Sequence, residues 1–311
     1  MKNDLSISVI CPLYKSENYV VDLYSELEKT LKTITNKFEI IYVNDASPDN
    51  SLTKSLTLFE KVKNLKIIDL SYNFGQHKAL ITGIEESKYD LIFIMDADLE
   101  EDPKNIIDFV NEYKSDKSFD LIYGVQKSRK GGFIERYSGW LFYFIFSKIT
   151  GLGKSESPTP FRLMTRKYAN SLCEFKEYHF FFHGLSIITG YKQKAKPIEK
   201  ENSSKTSYSL IKRIKFLTNS ITSFTTAPLK FIFGLGLFFL ITSFILIFYN
   251  LYRYFIYGNP IQGWSSLFVS IWFFGGLIMF SMGIIGMYLS RIFIQVKNRP
   301  FTVIKNIYEK N

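Results

Sequence analysis

The chain has 311 residues, a net charge of +10, and 30 Phe and 20 Tyr that raise its aromatic content to 17%. Charged residues crowd the first two-thirds and nearly vanish from much of the last third, so the positive charge points to an anionic lipid surface rather than to nucleic acid. Cys11 and Cys173 lie far apart without metal-ligand spacing, which argues against a disulfide framework and suits a reducing compartment. The first residues lack the apolar core of a secretory signal, so the first domain is expected to stay in the cytoplasm.

In chain order, Ile7 to Cys11 reads as a strand ending at Pro12, and Val20, Leu23, Leu27, Leu31 and Ile34 recur at helical spacing. Phe38 to Val43 is a second strand, Asn44 to Asn50 a turn-rich loop before a helix, and Leu65 to Leu70 a third strand. His77 to Glu86 reads as helix. Leu91 to Met95 is a continuous apolar strand buried on both faces, Pro103 opens the next helix, and Leu121 to Tyr123 is one more strand. This alternation predicts an α/β fold: a mostly parallel, Rossmann-like sheet with helices on both faces, binding ligands beyond the carboxyl ends of its strands.

Phe231 to Tyr252 and Leu267 to Leu289 carry no charged residue, and each exceeds the ~20 residues needed to cross a bilayer. Lys205, Lys212, Arg213, Lys215 and Lys230 precede the first run. Arg291, Lys297, Arg299 and Lys305 follow the second, whereas the link holds only Arg253. The positive-inside rule places both termini in the cytoplasm. The expected division is a catalytic domain over 1–204, an amphipathic juxtamembrane segment over 205–229, a transmembrane hairpin over 230–290 and a cytoplasmic tail over 291–311.

Asp96-Ala97-Asp98 follows the buried strand, so its acids are desolvated on one side and open on the other. Carboxylates spaced in this way suit a divalent cation that stabilises a departing diphosphate. Asp98 is the better ligand, while Asp96 either faces a ribose or shares the metal. Taken singly the triplet also fits a solvated acidic loop, since Glu100, Glu101 and Asp102 follow. Asp45 stands at the end of another strand and reads either as a base or ribose acceptor or as a turn acid. Tyr14, beyond Pro12, is placed to stack near a nucleobase, or else belongs to a plain connection capped by Asn18.

Four stretches together, Ile10 to Glu17, Val43 to Asp49, Asn73 to Leu80 and Met95 to Pro103, resemble the family 2 inverting glycosyltransferases. Arg136 with Ser138, Phe161-Arg162-Leu163-Met164, Ser207-Tyr208, Ser223-Phe224, Pro228-Leu229 and Asn298-Arg299-Pro300 resemble its polyprenyl-phosphate branch, which holds dolichol-phosphate mannose synthases and bactoprenol glucosyltransferases. The resemblance implies a GT-A fold, a nucleotide-sugar donor, Mg2+ or Mn2+, and a polyprenyl phosphate acceptor at a bacterial inner membrane, with homo-tetramers known in the branch. It assigns Pro12, Tyr14, Glu17 and Asp45 to the nucleotide, Asp96 and Asp98 to metal and diphosphate, and Arg129, Arg136 and Arg162 to phosphates of donor or acceptor, where forked hydrogen bonding suits arginine. The chain departs from the branch at Pro160, where an Asp commonly precedes Phe-Arg-Leu, and at Glu201 and Ser204, where Arg and Gly are usual. A phosphate acceptor is already ionised near neutral pH and needs positioning more than a general base. Two rivals follow: a transferase that extends a lipid-linked saccharide, and a non-catalytic partner of a glycan assembly complex.

Other patterns carry less. Gly151-Leu152-Gly153-Lys154-Ser155 resembles the end of a phosphate-binding loop, but the required first glycine falls at Lys148. His179 and His183 have metal-site spacing, but three phenylalanines fill the gap. Tyr137 to Ile149 is strongly aromatic and reads equally as a core helix or as one lying on a membrane surface.

Overall fold

A computed structural model describes residues 5–126, 158–177, 182–199, 226–257 and 263–310. They fall into two compact units, one of residues 1–147, 152–213 and 300–311, the other of residues 148–151 and 214–299. Arg129, Arg136, the aromatic segment Tyr137 to Ile149, the Gly151 to Ser155 pattern, His179, Glu201, Ser204 and the Ser207 and Ser223 motifs lie outside the described residues.

The first unit opens with β1 (Ser6–Leu13), α1 (Val20–Ile34), β2 (Lys37–Asn44), α2 (Ser51–Lys61), β3 (Leu65–Leu70), α3 (Gln76–Glu85), β4 (Leu91–Ile94), α4 (Asn105–Ser115) and β5 (Leu121–Gln126). It continues with β6 (Pro158–Thr165), α5 (Arg166–Cys173), α6 (Phe182–Ile188) and β7 (Gln193–Ile198). A last strand, β8 (Ile304–Tyr308), follows the helices of the second unit.

The eight strands form one sheet in the order β7-β5-β6-β4-β1-β2-β3-β8. Neighbours are parallel at β1/β2, β1/β4, β2/β3 and β5/β7, and antiparallel at β4/β6, β5/β6 and β3/β8. The sheet is therefore more mixed than the alternation of elements implies. β1 also runs past Pro12: its ladder with β4 stops at Ile10, and Pro12 pairs only toward Val43 of β2, so a missing N–H is tolerated there. The tail expected at 291–311 divides, with Arg291 inside a helix and Ile304–Tyr308 in the sheet.

Alternation along β1 separates two layers. Ile7, Val9, Cys11 and Leu13 join one buried cluster with Leu23, Leu27 and Leu31 of α1 and with Phe109 of α4. Phe93, Phe109 and Phe161 lock β4, α4 and β6 there through edge-to-face contacts, with ring centroids 4.5–5.7 Å apart. Ile10 points the other way, toward α3. A Cβ on Gly83 would lie 2.5 Å from Ile10 Cγ2 and 3.0 Å from Val43 Cγ2, so a side chain there would push α3 off the sheet.

The second unit holds α7 (Ala227–Tyr257) and α8 (Trp264–Val296), each longer than its uncharged run. Both have stretches long and apolar enough to cross a membrane, Pro228–Leu246 and Phe273–Val296, with none of either stretch buried. Phe239 of α7 packs edge-on against Phe273 and Phe274 of α8 at 5.8 and 5.7 Å.

Candidate active site

Three loops leave the carboxyl ends of β1, β2 and β4, and each contains a non-glycine residue in the left-handed region: Lys15 (φ 57), Ala46 (φ 46) and Leu99 (φ 57). Such a conformation costs about 1 kcal/mol or more. Here all three strained residues gather at one sheet edge, where they turn the loops around a cleft of about 440 Å³. Pro12, Tyr14 and Ser16 line it from the first loop, Asp45 from the second, and Asp96, Ala97 and Asp98 from the β4 loop. Asn73, Gly75 and Gln76 complete the wall from the β3–α3 connection.

Asp45 is buried, and its two oxygens accept the N–H groups of Phe74 (2.7 Å) and Gly75 (2.9 Å). Burial raises its pKa above the ordinary carboxylate value, and the two backbone bonds oppose that rise. The residue expected to hold nucleotide thus also pins the β3–α3 loop, where Gly75 adopts φ +94. Asp96 is half-buried and accepts a hydrogen bond from the side-chain amide of Gln76. Asp98 is exposed, with Oδ1 accepting the Glu100 N–H at 3.0 Å. Behind Asp96, the fully buried Cys11 thiol is pushed well above its usual range, first by burial and then by the Asp96 charge.

Among the described residues no three His, Cys, Asp or Glu side chains gather as a preformed metal site. Asp96 and Asp98 nevertheless offer two hard oxygen donors in the wall of an open cleft. That set fits Mg2+ or Mn2+ when substrate phosphate and water complete the shell.

Two expected site residues have other surroundings. Glu17 is not among the residues lining the cleft; its Oε2 accepts the Asn50 N–H at 3.0 Å and its own N–H donates to Asp49 Oδ2 at 3.0 Å, clipping the β1 loop to the β2 loop. Arg162 is buried in β6: its Nε donates to Thr159 O at 3.1 Å and its guanidinium lies 4.5 Å from the centre of the Phe182 ring. It too is absent from the residues lining the cleft, and β6 pairs it with Ile94 of β4. Pro160, the departure from the branch, begins no ladder with β4; the recorded pairs start at Arg162.

The chain's patterns did not single out Gln76 or Asp49. Asp49 organises the loop pair: it accepts from Ser47 Oγ (2.5 Å), from Ser51 Oγ (2.6 Å) and N (3.1 Å), and from Glu17 N. Burial disfavours its charge, but these hydroxyl and backbone donors outweigh that and hold the pKa at about 2. A pKa depressed from an unfolded value of about 3.9 gives stability that is complete above that value and lost as pH falls toward 2. Acid unfolding followed between pH 5 and 2 should therefore be less steep in Asp49→Asn than in the parent, and identical curves would remove Asp49 from this role.

The acids stand at the carboxyl ends of parallel strands, the edge where open α/β sheets bind their ligands. The chain belongs to glycosyl transferase family 2, whose model matches residues 8–188 and so spans every loop of the cleft. An uncharacterized glycosyltransferase of Bacillus subtilis, YkcC, is 30% identical over 313 residues, covering 99% of this chain and 96% of that one. The SfII prophage-derived bactoprenol glucosyl transferase of Shigella flexneri is 30% identical over 312 residues, covering 99% of this chain and all of its own. Among solved structures, the mannosyltransferase PcManGT from Pyrobaculum calidifontis, in complex with GDP-Man and Mn2+, shares the fold at 16% identity, with a TM-score of 0.51 over 71% of this chain and 64% of that one.

Proposed function

We propose that this protein transfers one sugar from a nucleotide-sugar donor, a UDP-sugar by preference, to polyprenyl phosphate at the cytoplasmic face of a bacterial membrane, with inversion at the anomeric carbon. The observation that carries the reading is the pairing, in one chain, of an acid-lined cleft at the strand ends with two long apolar helices whose side chains are largely exposed. Similarity to a bactoprenol glucosyl transferase along almost the whole chain, helices included, supports a lipid-borne acceptor.

In this reading Tyr14, 48% exposed on the cleft wall, offers a ring face to the base. Asp96 and Asp98 face the donor diphosphate, and Gln76 fixes the orientation of Asp96. A divalent cation held there would neutralise charge on the departing diphosphate. The acceptor phosphate is itself the nucleophile, so the chain needs to align it rather than deprotonate it. In this reading both termini lie on the cytoplasmic side, which the cations flanking α7 and α8 favour, and anchoring raises the local concentration of a lipid acceptor.

The test is a panel of nucleotide sugars offered to the full-length protein with undecaprenyl phosphate and Mn2+, read by product mass. One hexose added to undecaprenyl phosphate is the expected product. Transfer only to a lipid-linked saccharide, or donor binding without transfer to any acceptor, would replace this reading with one of its rivals.

A further inference from the structure

We propose that Phe301, Thr302 and Val303, between the second long helix and β8, position the cleft wall by gripping α3 and the start of the loop before it. The proposal rests on the reading of the cleft as a nucleotide-sugar site.

The grip has three consecutive contacts. Val303 O accepts the Ser71 N–H at 2.9 Å, fixing the point where the chain leaves β3. Thr302 Oγ1 lies 2.7 Å from Thr82 Oγ1, on the buried face of α3. The Thr82 hydroxyl already donates its one proton to Lys78 O at 3.0 Å, so Thr302 must be the donor in this pair. The Lys78 ammonium stands 5.2 Å from the centre of the Phe301 ring. These contacts hold both ends of the connection between β3 and α3.

That connection is what shapes the cleft from the side of β3. Its Phe74 and Gly75 N–H groups hold Asp45, and Gln76, at the start of α3, holds Asp96. None of residues 301–303 lines the cleft. They act on Asp45 and Asp96 through the loop and are positioning residues. Further along, Lys305 reaches Asp69 at 4.0 Å, and Asp69 accepts from Asn44 Nδ2 at 2.8 Å, one residue before Asp45.

The experiment compares the full-length protein with Phe301→Ala/Thr302→Val in lipid nanodiscs. Amide exchange is read at residues 71–76, and kinetics are read with UDP-glucose as the donor probe. The loss of one hydrogen bond and one cation–π contact should speed exchange at those amides by about tenfold. The donor KM should rise about three- to tenfold while kcat stays within about twofold. Thr302→Ser, which keeps the donated proton, should behave as the parent, and Thr302→Val should not. Unchanged exchange at 71–76, or exchange raised equally in β1 and β2, would overturn the proposal. If the parent itself does not turn over UDP-glucose, that result counts against the donor reading, and the exchange comparison still decides the grip.

Discussion

Asp98→Ala is expected to lower turnover by about a thousandfold or more, while the protein accumulates in the membrane in normal amount. The reasoning starts from exposure. Asp98 is exposed on the cleft wall, and its one backbone bond, from Glu100 N–H to Oδ1, is a local loop contact. Removing the side chain therefore costs the fold little, about 1 kcal/mol at most. What is lost is a negative oxygen where a cation would meet the departing diphosphate. Asp98→Asn separates the two effects, because its amide oxygen can still accept the Glu100 N–H while the charge is gone. Both variants should be inactive at saturating donor and Mn2+, with membrane-fraction yields equal to the parent. Full turnover in either one would sink the proposed use of the acidic pair.

Asp45→Ala should instead lose stability and donor binding together. Asp45 is buried, and each of its oxygens is committed to a backbone N–H of the β3–α3 loop. Hydrogen bonds to a charged acceptor contribute about 1.5–3 kcal/mol, and a donor left unsatisfied in a partly buried place adds its desolvation cost. A loss of about 2–4 kcal/mol is expected in Asp45→Ala, and roughly half of that in Asp45→Asn, which keeps one acceptor. Denaturant unfolding of the membrane-embedded protein measures the first quantity and equilibrium binding of UDP with Mn2+ the second. If Asp45→Ala matched the parent in stability but not in binding, the carboxylate would serve the nucleotide and the loop bonds would be incidental.

The first half of the fold was legible because its strands are continuous apolar runs and its helices carry clear stripes, as in Leu91 to Ile94 and in Leu23, Leu27 and Leu31. The later strands lack that signature. β6 begins Pro-Thr-Pro, β7 is an edge strand reading Gln-Lys-Ala-Lys-Pro-Ile, and β8 reads Ile-Lys-Asn-Ile-Tyr within a charged tail. Strand-end position sufficed to bring Asp45, Asp96 and Asp98 to one cleft, since a parallel sheet puts its carboxyl ends on one edge. Gln76 and Asp49 act through partners 20 or more residues away, or through a loop fold that no short pattern reports. For Arg162 the Phe-Arg-Leu motif suggested a phosphate ligand, and nothing in the sequence pointed to its contacts with Thr159 and Phe182.

β8 also bears on how the protein is made. It is antiparallel to β3 and supplies the edge strand on that side of the sheet, held by Lys66 to Glu309 at 3.2 Å and by Lys310 to the carbonyls of Glu60 and Val62. In chain order it is made after both long apolar helices. Until then β3 is an open edge, the kind of surface on which half-made chains pair wrongly with one another. Completion of the sheet is thereby deferred until both helices have been made, so a chain that stalls at either helix leaves the ribosome with the β3 edge unsealed.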